Sequence, residues 1–511
     1  MKAINNVVFS LFILITLSSC INRKSNVEVH FELVRDDPVL LRQFLKSFPK
    51  GGDIHNHLTG AIYAESYLGW AAEDGKCIDL EQYKILLPPC DAPKSVLVAD
   101  FLNYYQVGFD EKLPNVDAAI DAMSTRNYQT RSISGHDQFF STFDRFFIAA
   151  EGRRGDMLAE VTSRASTQNI LYLELMQSLG MFEVASVAAS NTDLRNDFGD
   201  RLDHFEVDKI AKDVIQTLDQ IETRQREILN CGFDAKVDSG NGCNIKVRYL
   251  AQVIRTLTIE QVYAQTLLAF KLMKADERIV GLNFVAPEDN SVSLRDYKKH
   301  MQFIKEISNY FPDQKDFITL HAGELVLGLV PPKHLGWHIR DAIFEAGASR
   351  IGHGIDIMHD KEVSALLDYM AENEILVEIN LTSNEVILEV SGKDHPLNIY
   401  MENSVPIALS TDDEGVSRID LTHEYQKAVE TFDISYKMLK TLSRNSLQYS
   451  FLEGESLFLD TSSGILVKPC EDYESENKMS ESCSSFLANN EKAFTQIELE
   501  RRFMKFEDTF N

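Results

Sequence analysis

Eight short β-rich runs recur along this chain. Each ends in polar or ionisable residues and most are followed by a helical stretch, an alternation that confines the chain to folds built on a parallel sheet. The runs occupy residues 52–57, 170–175, 245–251, 279–285, 317–321, 350–353, 375–380 and 406–411. Helix-period patterns lie between them at 259–275, 294–307, 337–346 and 360–374. A doubly wound sheet shares the alternation. Eight units with ionisable groups at the strand ends predict instead an α/β fold, a (β/α)8 TIM barrel whose site lies on the carboxyl face.

The 511 residues suit such a barrel with additions. The barrel is expected over 51–455, with an insertion at about 66–130 after the first strand. Residues 21–50 supply a tether and an N-terminal helical extension, with a helix over 38–48. A C-terminal helical extension follows at 456–511 and ends in a helix over 491–507. Residues 179–246 are too many for one crossover and require extra helices. A content of 44% hydrophobic and 25% charged residues excludes disordered and fibrous classes. Lys and Arg number 51 against 78 Asp and Glu, a net charge of −27. That surface repels a phosphate backbone and argues against nucleic acid as a partner.

The first twenty residues read as an export signal. Lys2 precedes an eleven-residue apolar run from Val7 to Leu17, too short to span a bilayer. Leu17-Ser18-Ser19-Cys20 resembles the lipobox of bacterial lipoproteins. The resemblance implies cleavage before Cys20, a lipid on its sulfur, and an exported protein held at the periplasmic or cell surface. The other six cysteines form three local couples: Cys77 with Cys90, Cys231 with Cys243, and Cys470 with Cys483. None has Cys-x-x-Cys spacing. In an exported chain three disulfides closing short loops are expected, with six thiols buried as small hydrophobes the alternative.

Four strand ends carry the chemistry. His55 and His57 are two apart on the first strand, so both imidazoles point the same way. His321-Ala-Gly-Glu324 follows the fifth strand, where a third imidazole would complete a three-histidine set suited to zinc. Gly323 permits a sharp turn that brings the Glu324 carboxyl back over the site as a proton shuttle. Gly352-His353-Gly354 leaves an imidazole open to a ligand. Asp412 and Asp413 emerge together from an apolar run, a costly arrangement without a cation or hydrogen-bond donors. Each feature also has a structural reading, as a helix cap, a turn or a packed histidine; their joint placement is what points to a metal centre.

Here the sequence resembles the adenosine deaminase family of the metal-dependent amidohydrolase superfamily. The matching stretches are Gly52-Asp53-Ile54-His55-Asn56-His57-Leu58-Thr59-Gly60-Ala61, Leu320-His321-Ala322-Gly323-Glu324, Arg350-Ile351-Gly352-His353-Gly354, Leu381-Thr382-Ser383-Asn384 and Leu409-Ser410-Thr411-Asp412-Asp413. They fall in family order over about residues 44–452. The segment before the first strand, the cysteine-bearing insertion and the export signal look like the secreted, growth-factor-type branch.

The resemblance implies one Zn2+ per chain, bound by His55, His57, His321 and Asp412, which lowers the pKa of a water. Glu324, His353 and Asp412 are then the candidate catalytic residues. Glu324 would protonate purine N1, His353 would orient the attacking hydroxide, and Asp413 would hydrogen-bond N7. The product would be inosine plus ammonia, from adenosine and 2′-deoxyadenosine. By resemblance alone, the N-terminal helix and the insertion are the expected surfaces of a homodimer. Two positions depart from the family. Thr59 stands where an Asp is usual, near the ribose 5′ end, and Ala286 stands where a Gly is usual, near purine N3. Both leave the nucleoside open: a modified adenosine, an N6-substituted adenine nucleotide or adenine are alternatives, as is a surface lipoprotein that binds a nucleoside without turnover. Glu174, at the second strand end, is either a pocket residue or a structural carboxylate.

Overall fold

A computed structural model describes residues 25–107, 116–189, 206–232, 241–473 and 478–511. The expected signal segment and Cys20 lie outside them. Among the described residues no helix is long and apolar enough to cross a membrane.

Eight parallel strands make the core. β1 (Gly51–His57), β2 (Ile170–Gln177), β3 (Lys246–Ile254) and β4 (Ile279–Val285) form one sheet in that order. β5 (Thr319–Ala322), β6 (Arg350–His353), β7 (Leu376–Ile379) and β8 (Ile407–Leu409) form the other. Parallel bridges join the two halves at Asn56–Asp412 and Leu282–Ile318, so the ring closes. Every residue of β2, β5, β6, β7 and β8 is buried. A parallel strand is covered by helices on one side and fills the barrel on the other, so even the polar Thr319, His321, Arg350 and His353 of β5 and β6 are buried. Helices between strands start at strong caps. Thr258 and Gln261 form a capping box for Ile259–Ala275, and Asn290 caps Ser291–Ser308.

Below the carboxyl face, the barrel interior holds a buried ion triad. Arg350 lies 2.7 Å from Glu174 and 2.7 Å from Glu378, with its guanidinium stacked 3.9 Å from the Phe451 ring centroid. Tyr172 and the Phe451 amide donate further hydrogen bonds to Glu174. This carboxylate therefore has structural partners and does not line the pocket described below, which corrects its reading as a pocket residue.

The additions sit where the sequence leaves room for them. Asp37 caps the helix Pro38–Ser47, with Pro38 in its first turn. Between β1 and β2 lie a three-stranded antiparallel sheet (Cys77–Asp79, Lys84–Leu86, Ser95–Leu97) and the helices Gly135–Ala150 and Arg154–Thr167, among others. The β2–β3 crossover carries Met181–Ala189 and Val207–Ile228. Cys77–Cys90, Cys231–Cys243 and Cys470–Cys483 are disulfide-bonded. The last of these sits in a separate small apolar cluster with Leu457, Leu487 and Ile497 of the terminal helix Glu491–Glu507.

Candidate active site

Four side chains from three places in the ring converge at the carboxyl face. His55 and His57 come from β1, His321 from β5 and Asp412 from the turn after β8, and their ligand atoms all lie within 4.8 Å of one another. The His321 Nε2 is 3.1 Å from that of His55 and 3.2 Å from that of His57. Asp412 Oδ1 is 3.4 Å from His55 Nε2 and 3.2 Å from His57 Nε2.

The opposite nitrogen of each ring decides what this cluster is for. His55 Nδ1 faces Glu378 Oε2 at 2.5 Å, His57 Nδ1 faces Gln252 Oε1 at 3.1 Å, and His321 Nδ1 faces Asn283 Oδ1 at 2.8 Å. With the amides so oriented, all three partners are acceptors, so each Nδ1 carries the hydrogen and each Nε2 presents a lone pair. The His321 lone pair, 3.1 and 3.2 Å from those of His55 and His57, is repelled by them unless a cation lies between. Asp412 Oδ1 is buried without a hydrogen-bond partner, while its Oδ2 accepts from Ser383 at 2.6 Å. A donor set of three imidazoles and one carboxylate fits a divalent ion of the zinc type.

Beside it stand Glu324 and His353. Burial, reinforced by Asp412, pushes the Glu324 carboxyl well above its usual range, which favours its protonated form. Asn384 contacts His353 Nδ1 at 2.9 Å, and its amide oxygen is engaged by His395 at 3.1 Å. The amide nitrogen therefore donates to Nδ1 and leaves a hydrogen on Nε2. Burial lowers His353 to about 3, so a neutral imidazole aims an N–H inward, 3.8 Å from Glu324 and 3.9 Å from Asp412.

A pocket of about 370 Å³ opens above these groups, the size of a small-molecule site. Its floor includes His57, His321, Glu324, Asp412 and Asp413. Thr59 and Ala286 line it, as does Gly60, where an added Cβ would fall 1.4 Å from an Asp413 oxygen. Asp413 Oδ1 is buried and unpaired, free for a ligand. Ala286 adopts φ +78°, a left-handed backbone that glycine takes without cost and alanine does not. Asp412 and His353 share this conformation at φ +60° and +67°, so backbone strain gathers at the site.

Sequence reasoning missed several parts. Phe139, Phe140, Phe143 and Phe147 of the helix Gly135–Ala150, with Phe182, form an aromatic wall of the pocket. Their spacing reads as an ordinary buried helix face. Gln252, Asn283 and Glu378, which orient the three imidazoles, stand out only as polar residues inside apolar strands. Gln177 lines the pocket because β2 runs on past residue 175.

With this geometry in view, comparison with known sequences is decisive. A sequence model of the adenosine deaminase family matches residues 195–457, just over half of the chain. The chain belongs to the adenosine deaminase family. Among its relatives, the adenosine deaminase of Shewanella loihica is 40% identical over 136 residues, 26% of this chain and 38% of that protein. The adenosine deaminase of an Escherichia coli strain is 36% identical over 141 residues, 27% of this chain and 38% of that protein. The chain thus spans under two fifths of the length of the curated relatives it matches. Solved structures extend the likeness in fold. The adenine deaminase of Arthrobacter aurescens superposes with a TM-score of 0.50 at 14% identity, covering 88% of this chain and 98% of the other. Arabidopsis ADAL complexed with IMP superposes with a TM-score of 0.51 at 21% identity, covering 80% and 94%. The likeness is one of fold, and the cluster of His55, His57, His321 and Asp412 lies at the carboxyl face of that barrel.

Proposed function

We propose that this family member hydrolyses the 6-amino group of a purine nucleoside, adenosine and 2′-deoxyadenosine foremost, to the 6-oxo purine and ammonia. Water supplies the oxygen of the new C6–O bond, and the broken C6–N bond leaves as ammonia. A divalent ion, Zn2+ by its donor set, supplies Lewis acidity that lowers the pKa of a water when bound by His55, His57, His321 and Asp412. The observation that carries the reading is the convergence of three imidazoles and Asp412 beside the buried Glu324 carboxyl at the floor of one pocket.

The chain's own groups divide the remaining work. Glu324 holds a proton at the pocket floor, ready for a ring nitrogen whose protonation makes C6 electrophilic. His353 offers its Nε2 hydrogen to the attacking oxygen. Asp413, raised well above its usual range chiefly by burial, donates its carboxyl hydrogen to N7 from an otherwise unpartnered side. The phenylalanine wall covers the apolar faces of the base and excludes water. The expected test is ammonia release from adenosine by wild type, with Glu324→Gln keeping its metal while losing about 10²- to 10⁴-fold in kcat. Equal rates from the two proteins would support a binding protein or remove Glu324 from the chemistry.

A second substrate reading, an adenine nucleotide, is favoured by Arg154. It lines the pocket, and no carboxylate lies within ion-pair distance of it among the described residues. A substrate panel of adenosine, adenine and 5′-phosphorylated and N6-methylated analogues separates the readings. We further propose that the chain is exported and lipid-anchored through Cys20, on the strength of its first twenty residues. Labelling with a radioactive fatty acid, lost in Cys20→Ala, tests this.

A further inference from the structure

Glu288 follows β4 in the loop Ala286-Pro287-Glu288, fully buried and outside the pocket lining. One of its oxygens accepts from the Gly323 amide at 3.1 Å and the other from the Glu324 amide at 2.8 Å. The first oxygen also meets His338 Nδ1 at 2.5 Å, and the His338 ring stacks on Tyr297 with centroids 3.8 Å apart. Burial pushes this carboxyl up, but His338, Arg255 and the Glu324 amide outweigh it and hold it below its usual range, an anion. The carbonyls of the same turn are held from the other side. Ala322 O accepts from Gly354, and Gly323 O accepts from Ile355 and Asp356, in the loop after His353. The turn that aims Glu324 is therefore clamped between two loops. Only the Glu288 side uses a side chain that can be altered without touching the pocket.

We propose that Glu288, oriented by His338, is a positioning residue for the reaction: it fixes the Gly323–Glu324 turn and thereby the proton-donating carboxyl. The inference rests on the deaminase reading for the role of Glu324, while the clamp itself is a matter of geometry. Glutamine at 288 keeps the shape but brings an NH2 group that cannot accept, so one of the two amides loses its partner. A displacement of about 1 Å at a reacting group costs on the order of a hundredfold in rate.

The test is a double-variant cycle read in kcat, KM and metal content. Glu288→Gln is expected to keep wild-type metal and to bind inosine, titrated calorimetrically, within about threefold, while kcat falls about tenfold to hundredfold. In the Glu324→Gln background the same change should alter the residual rate less than about threefold, because the residue acts through Glu324. A structural role would lower both backgrounds alike, and that outcome, or an unchanged kcat, overturns the proposal. Should Glu288→Gln not fold, His338→Gln, which leaves the carboxylate in place but unoriented, is read in the same cycle with the same expectation. A crystal structure of the variant needs no turnover, so it separates this claim from the deaminase reading. If wild type releases no ammonia, that reading fails, whereas a Gly323–Glu324 turn displaced in the variant supports the clamp and an unmoved turn overturns it.

Discussion

His55 and Glu378 are joined by a 2.5 Å contact between Nδ1 and Oε2, with neither side chain exposed to solvent. The other carboxylate oxygen of Glu378 accepts from Thr319 and from Arg350, each at 2.7 Å. Burial alone would push this carboxyl up, but Arg350, His55 and Thr319 outweigh it and hold it at about 2. An ionised Glu378 fixes the ring tautomer of His55 and strengthens its lone pair. Glu378→Gln removes that charge while Glu174 still neutralises Arg350. Metal affinity, measured by competition with a chromophoric chelator, should fall about 10- to 100-fold with the fold retained.

Arg350 is the other half of this arrangement, and its loss should show first as a folding defect. Arg350→Met would leave Glu174 with only the Tyr172 hydroxyl and Phe451 amide, and Glu378 with only His55 and Thr319, two buried carboxylates without their shared cation. The cost is expected at about 3–5 kcal/mol, visible as a lower denaturant midpoint. An unchanged midpoint would mean that the triad contributes nothing to stability.

The strands were legible because each is a short β-rich run ending in polar or ionisable residues and most are followed by a helical stretch, and the terminal helix 491–507 because its period is unbroken. The metal cluster was legible because its members sit at strand ends with two-residue or turn spacing. The groups that aim the imidazoles were not. Glu378 lies 323 residues from His55, and Asn283 38 residues from His321, so their partnership exists only once the barrel closes. Glu174 shows the same limit in reverse. Strand period puts it inside the barrel, but its depth depends on β2 continuing to Gln177, which takes the place at the pocket. The phenylalanine wall escaped notice because an apolar helix face looks alike whether it covers a core or a ligand.

Asp356 predicts a pH dependence of stability. Burial, with Glu288 and Asp360 nearby, raises its carboxyl to about 7 although Gly336 donates to it, and one of its oxygens has no partner. The folded chain thus keeps a proton that the unfolded chain releases near pH 4. Stability is therefore lost as pH rises from about 4 through 7. Asp356→Asn should remove that loss, raising stability at pH 8 by on the order of 4 kcal/mol and hardly at pH 4. Melting curves at the two pH values read the difference.

The Cys470–Cys483 bridge secures the small C-terminal cluster, whose buried members are few. A Cys470→Ser, Cys483→Ser pair should cost about 2–4 kcal/mol, seen as earlier proteolysis confined to the region after residue 455. Catalysis at the distant pocket should be unchanged. A global loss of activity would show that this extension is needed for the barrel itself.

The chemistry proposed for the pocket requires that His55, His57, His321 and Asp412 share one ion. Anomalous diffraction at the zinc edge, from crystals grown with zinc, reads this out without turnover. A single strong peak is expected about 2.0–2.2 Å from the three Nε2 atoms and Asp412 Oδ1. No peak between those four groups, or zinc bound only elsewhere on the chain, would refute it.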